Sequence, residues 1–319
     1  LAAVVADQRR WWRWAMAWLA AVLVLHLWGW HLLQPLQRQA GLEPERTILV
    51  LQPAIPTRHK FEVVQQQLML RRLMGAQQEA EARGASALVL PEGALALGQP
   101  LPQPTAVEVL TGGFRLADEQ LRSALLAFPA GQQEPQGAVD KHRLVPLGEW
   151  VPLSGLVEWA GLSAVGGLSP GAPSRLLSRP FGSIGVAICY ELADGTALAA
   201  ATREGAGWLL ASANLDPYPA QLQRQFAALA QLRAIETSRW LVSAANTGPS
   251  LAVDPAGVVQ RQLPAREAGT LSVQVQPRHS LSFYGRWGEL PLLLTALVGA
   301  LGVFKRLQLG PSGGAGELP

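Results

Sequence analysis

The sequence predicts an α/β domain carried between two apolar helices that belong in a membrane. Three observations predict it. Almost half of the 319 residues are hydrophobic, which is high for a globular chain. Two apolar stretches, one near each end, carry basic residues on their outer flanks. Between them, strand-length apolar runs alternate with stretches of helical periodicity.

The first stretch, WAMAWLAAVLVLHLWGWHLL, lies within residues 14–34 and holds no charged side chain, only His26 and His31. About 20 such residues make a helix that crosses roughly 30 Å of hydrocarbon. Residues 1–13 end in DQRRWWR and Trp14 follows, so Arg9, Arg10 and Arg13 sit among tryptophans. That is a cytoplasmic basic flank with an interfacial aromatic belt. A cleaved signal peptide would show a shorter apolar region and a small-residue cleavage site, which LLQPLQRQ does not offer. The second stretch, LPLLLTALVGALGVF at 290–304, stops at Lys305 and Arg306. It is short for a span and gains length if the helix covers 286–304; a buried core helix is the alternative. With two spans, residues 305–319 form a cytoplasmic tail and the intervening domain faces the other side. The chain starts with Leu directly ahead of a span, and so reads as a piece of a longer protein or as one with a reduced anchor.

The domain is set at residues 47–277. TILVLQPAI reads as a strand, and FEVVQQQLMLRRLMGAQQEAEARG as a helix with Val64, Leu68 and Leu73 at helical spacing and Gly84 at its end. SALVLPE is again a buried strand. SIGVAIC, GWLLASAN, WLVSAAN and SLAVD continue the pattern, separated by helical GTALAAATREGA and AQLQRQFAALAQLRAIETSR. Residues 93–137, rich in Gly, Pro and Gln, read mostly as loop.

Composition removes several function classes. The net charge is only +3, and no dense Lys/Arg patch interleaves with aromatics, so nucleic acid is not an expected partner. No GxGxxG follows a strand and no Walker A loop occurs, so no nucleotide cofactor is expected. His59, His142 and His279 lack metal-ligand spacing, and no metal is expected. A single cysteine excludes an intrachain disulfide.

Three residues follow strand-like segments: Glu92 after SALVLP, Lys141 within AVDKHRLVPLGEWVPL, and Cys189 at the end of SIGVAIC. Ligands gather beyond the carboxyl ends of strands in such sheets, so residues far apart in sequence can converge there. A cysteine attacks as thiolate, a glutamate takes its proton, and a lysine offsets an oxyanion. Taken singly, each has a duller reading: a buried inert thiol, a turn carboxylate, a solvated charge cluster. Their coincidence favours acyl-transfer chemistry without histidine.

In the order LPEGA, DKHRLVPLGEWVP and ICYE, the motifs resemble those of the nitrilase, or carbon-nitrogen hydrolase, superfamily. The pattern KxxLVPxGExVP, the CYE after the strand and the flanking membrane helices resemble the apolipoprotein N-acyltransferases within it. The resemblance implies a nitrilase-like α-β-β-α sandwich flanked by transmembrane helices. It implies a monomer of the inner (plasma) membrane, multi-pass, with its catalytic domain on the periplasmic side. The implied reaction moves an acyl chain from a membrane phospholipid, through a cysteine thioester, to the N-terminal amine of a diacylglyceryl apolipoprotein, with no cofactor. It assigns Cys189 as nucleophile, Glu92 as general base and Lys141 as oxyanion stabiliser. Glu149 supports the lysine, the N–H of Tyr190 assists, and Glu191 orders the site. Phe61, standing where the family has a tryptophan, and Asn214 and Tyr218 of SANLDPYP are the expected substrate contacts. Two other readings remain at this point: a membrane-tethered amidase or nitrilase, and a non-catalytic scaffold of the same fold.

Overall fold

The computed structural model describes residues 11–38, 43–59, 62–146, 149 and 167–308. The chain divides into two units, one of terminal apolar helices and one spanning residues 39–286. In the first unit, α1 (Trp11–Arg38) contains 24 residues, Trp11–Gln34, long and apolar enough to cross a membrane. Leu23, Val24, Leu25 and Leu27 are all exposed, the surface a lipid solvent requires of a helix.

The second unit is built on two six-stranded sheets. The first joins β1 (Arg46–Gln52), β2 (Ala87–Val89), β3 (Glu108–Ala117), β4 (Gln120–Phe128), β5 (Gly137–Asp140) and β12 (Gly269–Val275), in the order β12-β1-β2-β3-β4-β5. The second joins β6 (Leu176–Leu177), β7 (Ile184–Ile188), β8 (Trp208–Ala213), β9 (Leu241–Ala245), β10 (Leu251–Val253) and β11 (Val259–Gln262), in the order β11-β10-β9-β8-β7-β6. Strands β1, β2 and β3 run parallel, as do β7, β8 and β9. The outer pairs are antiparallel.

Strand periodicity explains how the layers stack. Ile48 and Val50 of β1, with Ala87 and Val89 of β2, enter one core shared with Ile184, Val186, Leu210 and Val242 of the second sheet. Their neighbours Leu49, Leu51 and Leu88 enter a second core with Met69, Leu73, Ala76 and Ala80 of α2 (Val63–Ala82). Successive residues of a strand face opposite sides, so a strand buried on both faces is a continuous apolar run. On the far side, α3 (Gly195–Arg203) and α4 (Ala220–Thr237) bury Leu198, Phe226, Ala230 and Ala234 against the second sheet. Burying each larger apolar side chain stabilises the fold by about 1.5 to 3 kcal/mol. The result is the expected α-β-β-α sandwich.

Local chemistry sets the element ends. Asp194 caps α3 by accepting the Ala197 N–H at 3.1 Å. Beyond α2, Gly84 takes a positive φ of 60°, which a glycine adopts without a steric penalty. The buried face of α2 runs through Met69, Leu73, Ala76 and Ala80, whereas Val64, expected on it, is exposed.

The expectation of mostly loop over 93–137 holds for 93–107 and 129–136 but misses the hairpin between them. That stretch contains β3 and β4, paired from Val109↔Phe128 to Ala117↔Gln120 around Asp118 and Glu119, both with positive φ. Two positive-φ residues make the tight hairpin turn. Gly112, Gly113 and the polar residues Arg115, Gln120 and Arg122 dilute the apolar alternation that marks a strand.

At the other end, α5 (Phe283–Trp287) and α6 (Leu290–Gln308) are separated at Gly288, whose φ is +52°. The stretch 286–304 therefore consists of two helical pieces, and the apolar part of α6, Leu290–Lys305, is shorter than α1's span.

Candidate active site

Four strand ends meet where the two sheets open. Glu92 follows β2, Lys141 follows β5, Cys189 follows β7 and Asn214 follows β8. The Lys141 ammonium donates to Glu92 Oε1 at 2.8 Å and to Glu149 Oε1 at 2.6 Å. Lys141 is completely buried. Glu149 is fixed in turn by the Val145 N–H, which donates to its Oε2 at 2.9 Å. The other oxygen of Glu92 accepts the backbone N–H of Asn214 at 3.2 Å.

Cys189 begins the 3-10 turn Cys189–Ala193 with φ +52°. A left-handed conformation costs a residue with a side chain about 1 to 3 kcal/mol and marks a sharp strand-to-helix elbow. The elbow places the thiol in the field of Glu92 and Lys141. Burial, and then the charge of Glu92, push the thiol up to about 12, against the pull of Lys141. The resting sulfur is therefore protonated at neutral pH. Burial would lower the Lys141 pKa, but Glu92, Cys189 and Glu149 outweigh it and hold it above the ordinary value.

Glu191 ties the elbow to the lysine loop. Its Oε1 accepts the N–H of His142 at 2.6 Å and of Arg143 at 3.1 Å, and its Oε2 accepts that of Ile188 at 2.9 Å. One buried carboxylate thus holds the residue after Lys141 and the residue before Cys189. The Tyr190 side chain is exposed. Tyr218 is half-buried, and burial together with the charges of Cys189 and Glu92 raises its pKa, which puts the phenol within the field of the site. Asn214, expected as a substrate contact, also binds Thr57 Oγ1 at 2.8 Å and Asn246 Nδ2 at 2.7 Å. Phe61 lies outside the described residues.

Several supporting residues escape sequence reasoning. Arg175 donates to both oxygens of Glu191. Asp140, directly before Lys141, is gripped by Arg115 at 2.5 and 2.7 Å and by Arg122 at 3.1 Å. Burial would raise its pKa, but those guanidinium hydrogen bonds hold it below the usual carboxylate range. A methyl on Gly112 would overlap the Cα of Glu92 and lie 2.6 Å from the Pro91 carbonyl oxygen. Only Asp140 carries a sequence signal, its place beside Lys141; Arg175 and Gly112 act on residues remote in the chain.

The carbon-nitrogen hydrolase family profile matches residues 101–280. The chain belongs to the carbon-nitrogen hydrolase family. Among its relatives is an apolipoprotein N-acyltransferase of Prochlorococcus marinus strain MIT 9313, 47% identical over 285 residues, covering 89% of this chain and 56% of the relative. Another, of Parasynechococcus marenigrum, is 46% identical over 270 residues, covering 84% and 57%. The chain therefore spans about half the length of the curated relatives it matches. Among solved structures of the family's fold, Saccharomyces cerevisiae Nit3 of the nitrilase superfamily superposes with a TM-score of 0.55 at 12% identity, covering 85% of this chain and all of that one. The NitN amidase of Nesterenkonia sp. AN1 gives 0.54 at 17% identity, covering 79% and 99%.

Proposed function

We propose that this chain is the catalytic part of an apolipoprotein N-acyltransferase, in which Glu92, Lys141 and Cys189 act as base, oxyanion stabiliser and nucleophile. The observation that carries the reading is the convergence of Cys189 and Lys141 on one carboxylate, Glu92. In the first half-reaction Glu92 takes the thiol proton as sulfur attacks the carbonyl of a phospholipid ester. The negative charge then moves from carboxylate to sulfur to carbonyl oxygen within the field of one fixed ammonium, so little net charge is created in the buried site. Collapse of the tetrahedral intermediate breaks the ester C–O bond; the leaving alkoxide takes the proton from Glu92, and a thioester remains. In the second half-reaction the α-amine of a diacylglyceryl-cysteine attacks the thioester. Glu92 takes the amine's proton, the thiolate departs and is reprotonated, and an amide forms. Glu149 keeps Lys141 aimed and Glu191 keeps the two loops in register, while Asn214 and Tyr218 contact the substrates.

The apolar helix α1 supports action at a membrane, where both lipid substrates are concentrated. The arginines ahead of it support placement of the domain on the extracytoplasmic face of the inner membrane, in a multi-pass protein acting as a monomer. The same site could hydrolyse a small amide, but the helix and the named relatives favour acyl transfer. The test is incubation of membranes containing the protein with an alkyne-tagged phospholipid. A label on Cys189 that neutral hydroxylamine removes, and that Cys189→Ala lacks, is the expected result. A folded, inserted protein that takes no label would overturn the reading.

A further inference from the structure

Strands β8 and β9 run parallel, pair as far as Ala213↔Ala245, and are each followed by an asparagine, Asn214 and Asn246. The two side chains are bonded to each other across that next rung, where Asn246 Nδ2 donates to Asn214 Oδ1 at 2.7 Å. Asn246 is buried. Its amide also exchanges two bonds with the backbone of Ile55: Oδ1 accepts the Ile55 N–H at 2.9 Å, and Nδ2 donates to the Ile55 carbonyl at 2.7 Å. That is the exchange a neighbouring antiparallel strand would make. Its backbone N–H donates to the Ala213 carbonyl at 3.0 Å, and its own carbonyl accepts the Ala54 N–H at 2.8 Å. A buried amide with both donors and its acceptor engaged has one orientation.

The peptide between Ala213 and Asn214 carries this order to the reacting groups. Its carbonyl accepts from Asn246, and its N–H is the one that donates to Glu92 Oε2 at 3.2 Å. A peptide unit is planar, so gripping the carbonyl fixes the direction of the N–H. The Asn246 side chain adds a second grip through Asn214 Oδ1, while Thr57 Oγ1 takes Asn214 Nδ2 at 2.8 Å. The other oxygen of Glu92 accepts from Lys141. Glu92 is thus held from the end of β5 through one oxygen and from the ends of β8 and β9 through the other.

We infer that Asn246 is a positioning residue for the base: it acts through the Asn214 peptide, whose N–H sets the orientation of the Glu92 carboxylate. The inference rests on Glu92 acting as base in the acyltransferase reading. A carboxylate that takes a proton first from sulfur and later from an amine gains from one fixed orientation, because a misplacement of about 1 Å can cost about 100-fold in rate.

The test compares the parent with Asn246→Ala, Asn214→Ala and Glu92→Gln, each as the full chain in membranes, by two readouts. The first is the rate at which a tagged phospholipid labels Cys189. Asn246→Ala should slow labelling at saturating phospholipid by about 10- to 100-fold and leave the half-saturating concentration as in the parent, the mark of a loss in the chemical step. The second is iodoacetamide alkylation of Cys189 against pH, which needs no phospholipid. The Glu92 charge raises the thiol pKa, so a carboxylate held less firmly should put the midpoint of Asn246→Ala between those of the parent and Glu92→Gln. In the Glu92→Gln background Asn246→Ala should add no shift. A general loss of stability would not produce that dependence on Glu92. Should Asn246→Ala fail to fold, Asn214→Ala decides the matter: it cuts the same side-chain link, leaves the Ile55 bonds in place, and should move the midpoint the same way. Midpoints equal to the parent's in folded variants, or labelling slowed only through a higher half-saturating concentration, overturn the inference and leave Glu92 as base. A parent that takes no label overturns the acyltransferase reading, and the alkylation midpoints then still decide whether Asn246 orients Glu92.

Discussion

Arg175 donates Nη1 to both carboxylate oxygens of Glu191, at 2.9 and 3.0 Å, and both side chains are almost fully buried. Glu191 spends its remaining capacity on the backbone N–H groups beside Lys141 and Cys189. The arginine therefore fixes both loops through one intermediary, without touching either reactive side chain.

Removing one partner of a buried ion pair leaves the other charge uncompensated, at a cost of about 3 to 5 kcal/mol. Arg175→Met should lower the unfolding free energy by that order in urea titration. Thioester formation should fall even at temperatures where the variant is folded. Unchanged stability would mean that Glu191 needs no counter-charge.

Glu92→Gln should stop thioester formation while making the resting thiol more acidic. Its carboxylate is the largest nearby charge acting on Cys189 and raises the thiol pKa, which stands at about 12. Rates of iodoacetamide alkylation against pH should therefore reach their midpoint lower in the variant than in the parent. In the parent, the folded protein keeps its thiol proton above pH 9 when the unfolded chain loses it. Folding stability should accordingly fall as pH rises from about 9 to 12. A midpoint that stays put would show that Glu92 does not act on the sulfur.

Gly112→Ala should displace Glu92 with little change at the surface. The added methyl has no room against backbone atoms of Pro91 and Glu92, and overpacking of this kind costs about 1 to 3 kcal/mol. Labelling of Cys189 by phospholipid should drop more than thermal stability alone explains. A variant with parental labelling would remove Gly112 from the positioning of the base.

Asp140→Asn should flatten the acid limb of the stability profile. The carboxyl is held below its ordinary value by Arg115 and Arg122, so its contribution is present above the unfolded pKa, about 3.9, and is lost as pH falls through the folded value. Equilibrium unfolding between neutral pH and pH 3 checks this, with the parent losing more stability than the variant. Identical slopes would show that the clamp is energetically silent.

The strands buried on both faces were legible because apolar residues dominate both of their faces: β1, β2, β7, β8 and β9 sit where the sequence placed them. The β3–β4 hairpin was not, because Arg115 and Arg122 stand opposite each other on one of its faces and the adjacent Gly112 and Gly113 interrupt both faces. At the site, Glu92, Lys141 and Cys189 announced themselves by residue type at strand ends. Arg175 and Gly112 did not, since each matters through what it meets elsewhere in the fold and no local pattern encodes that meeting; Asp140 showed only its place beside Lys141.

Arg46 and Val275, the first residue of β1 and the last of β12, stand opposite each other in the domain's outer antiparallel pair. The domain's entrance and exit are therefore next-door neighbours. A folding unit with such a doorway can be spliced into a turn of a host protein without spreading the host's own elements, because closing a loop around it costs little more than closing a short one. The adjacency makes the hydrolase sandwich a transplantable cassette: a soluble thiol chemistry could be set at a membrane by grafting two ends a single strand spacing apart.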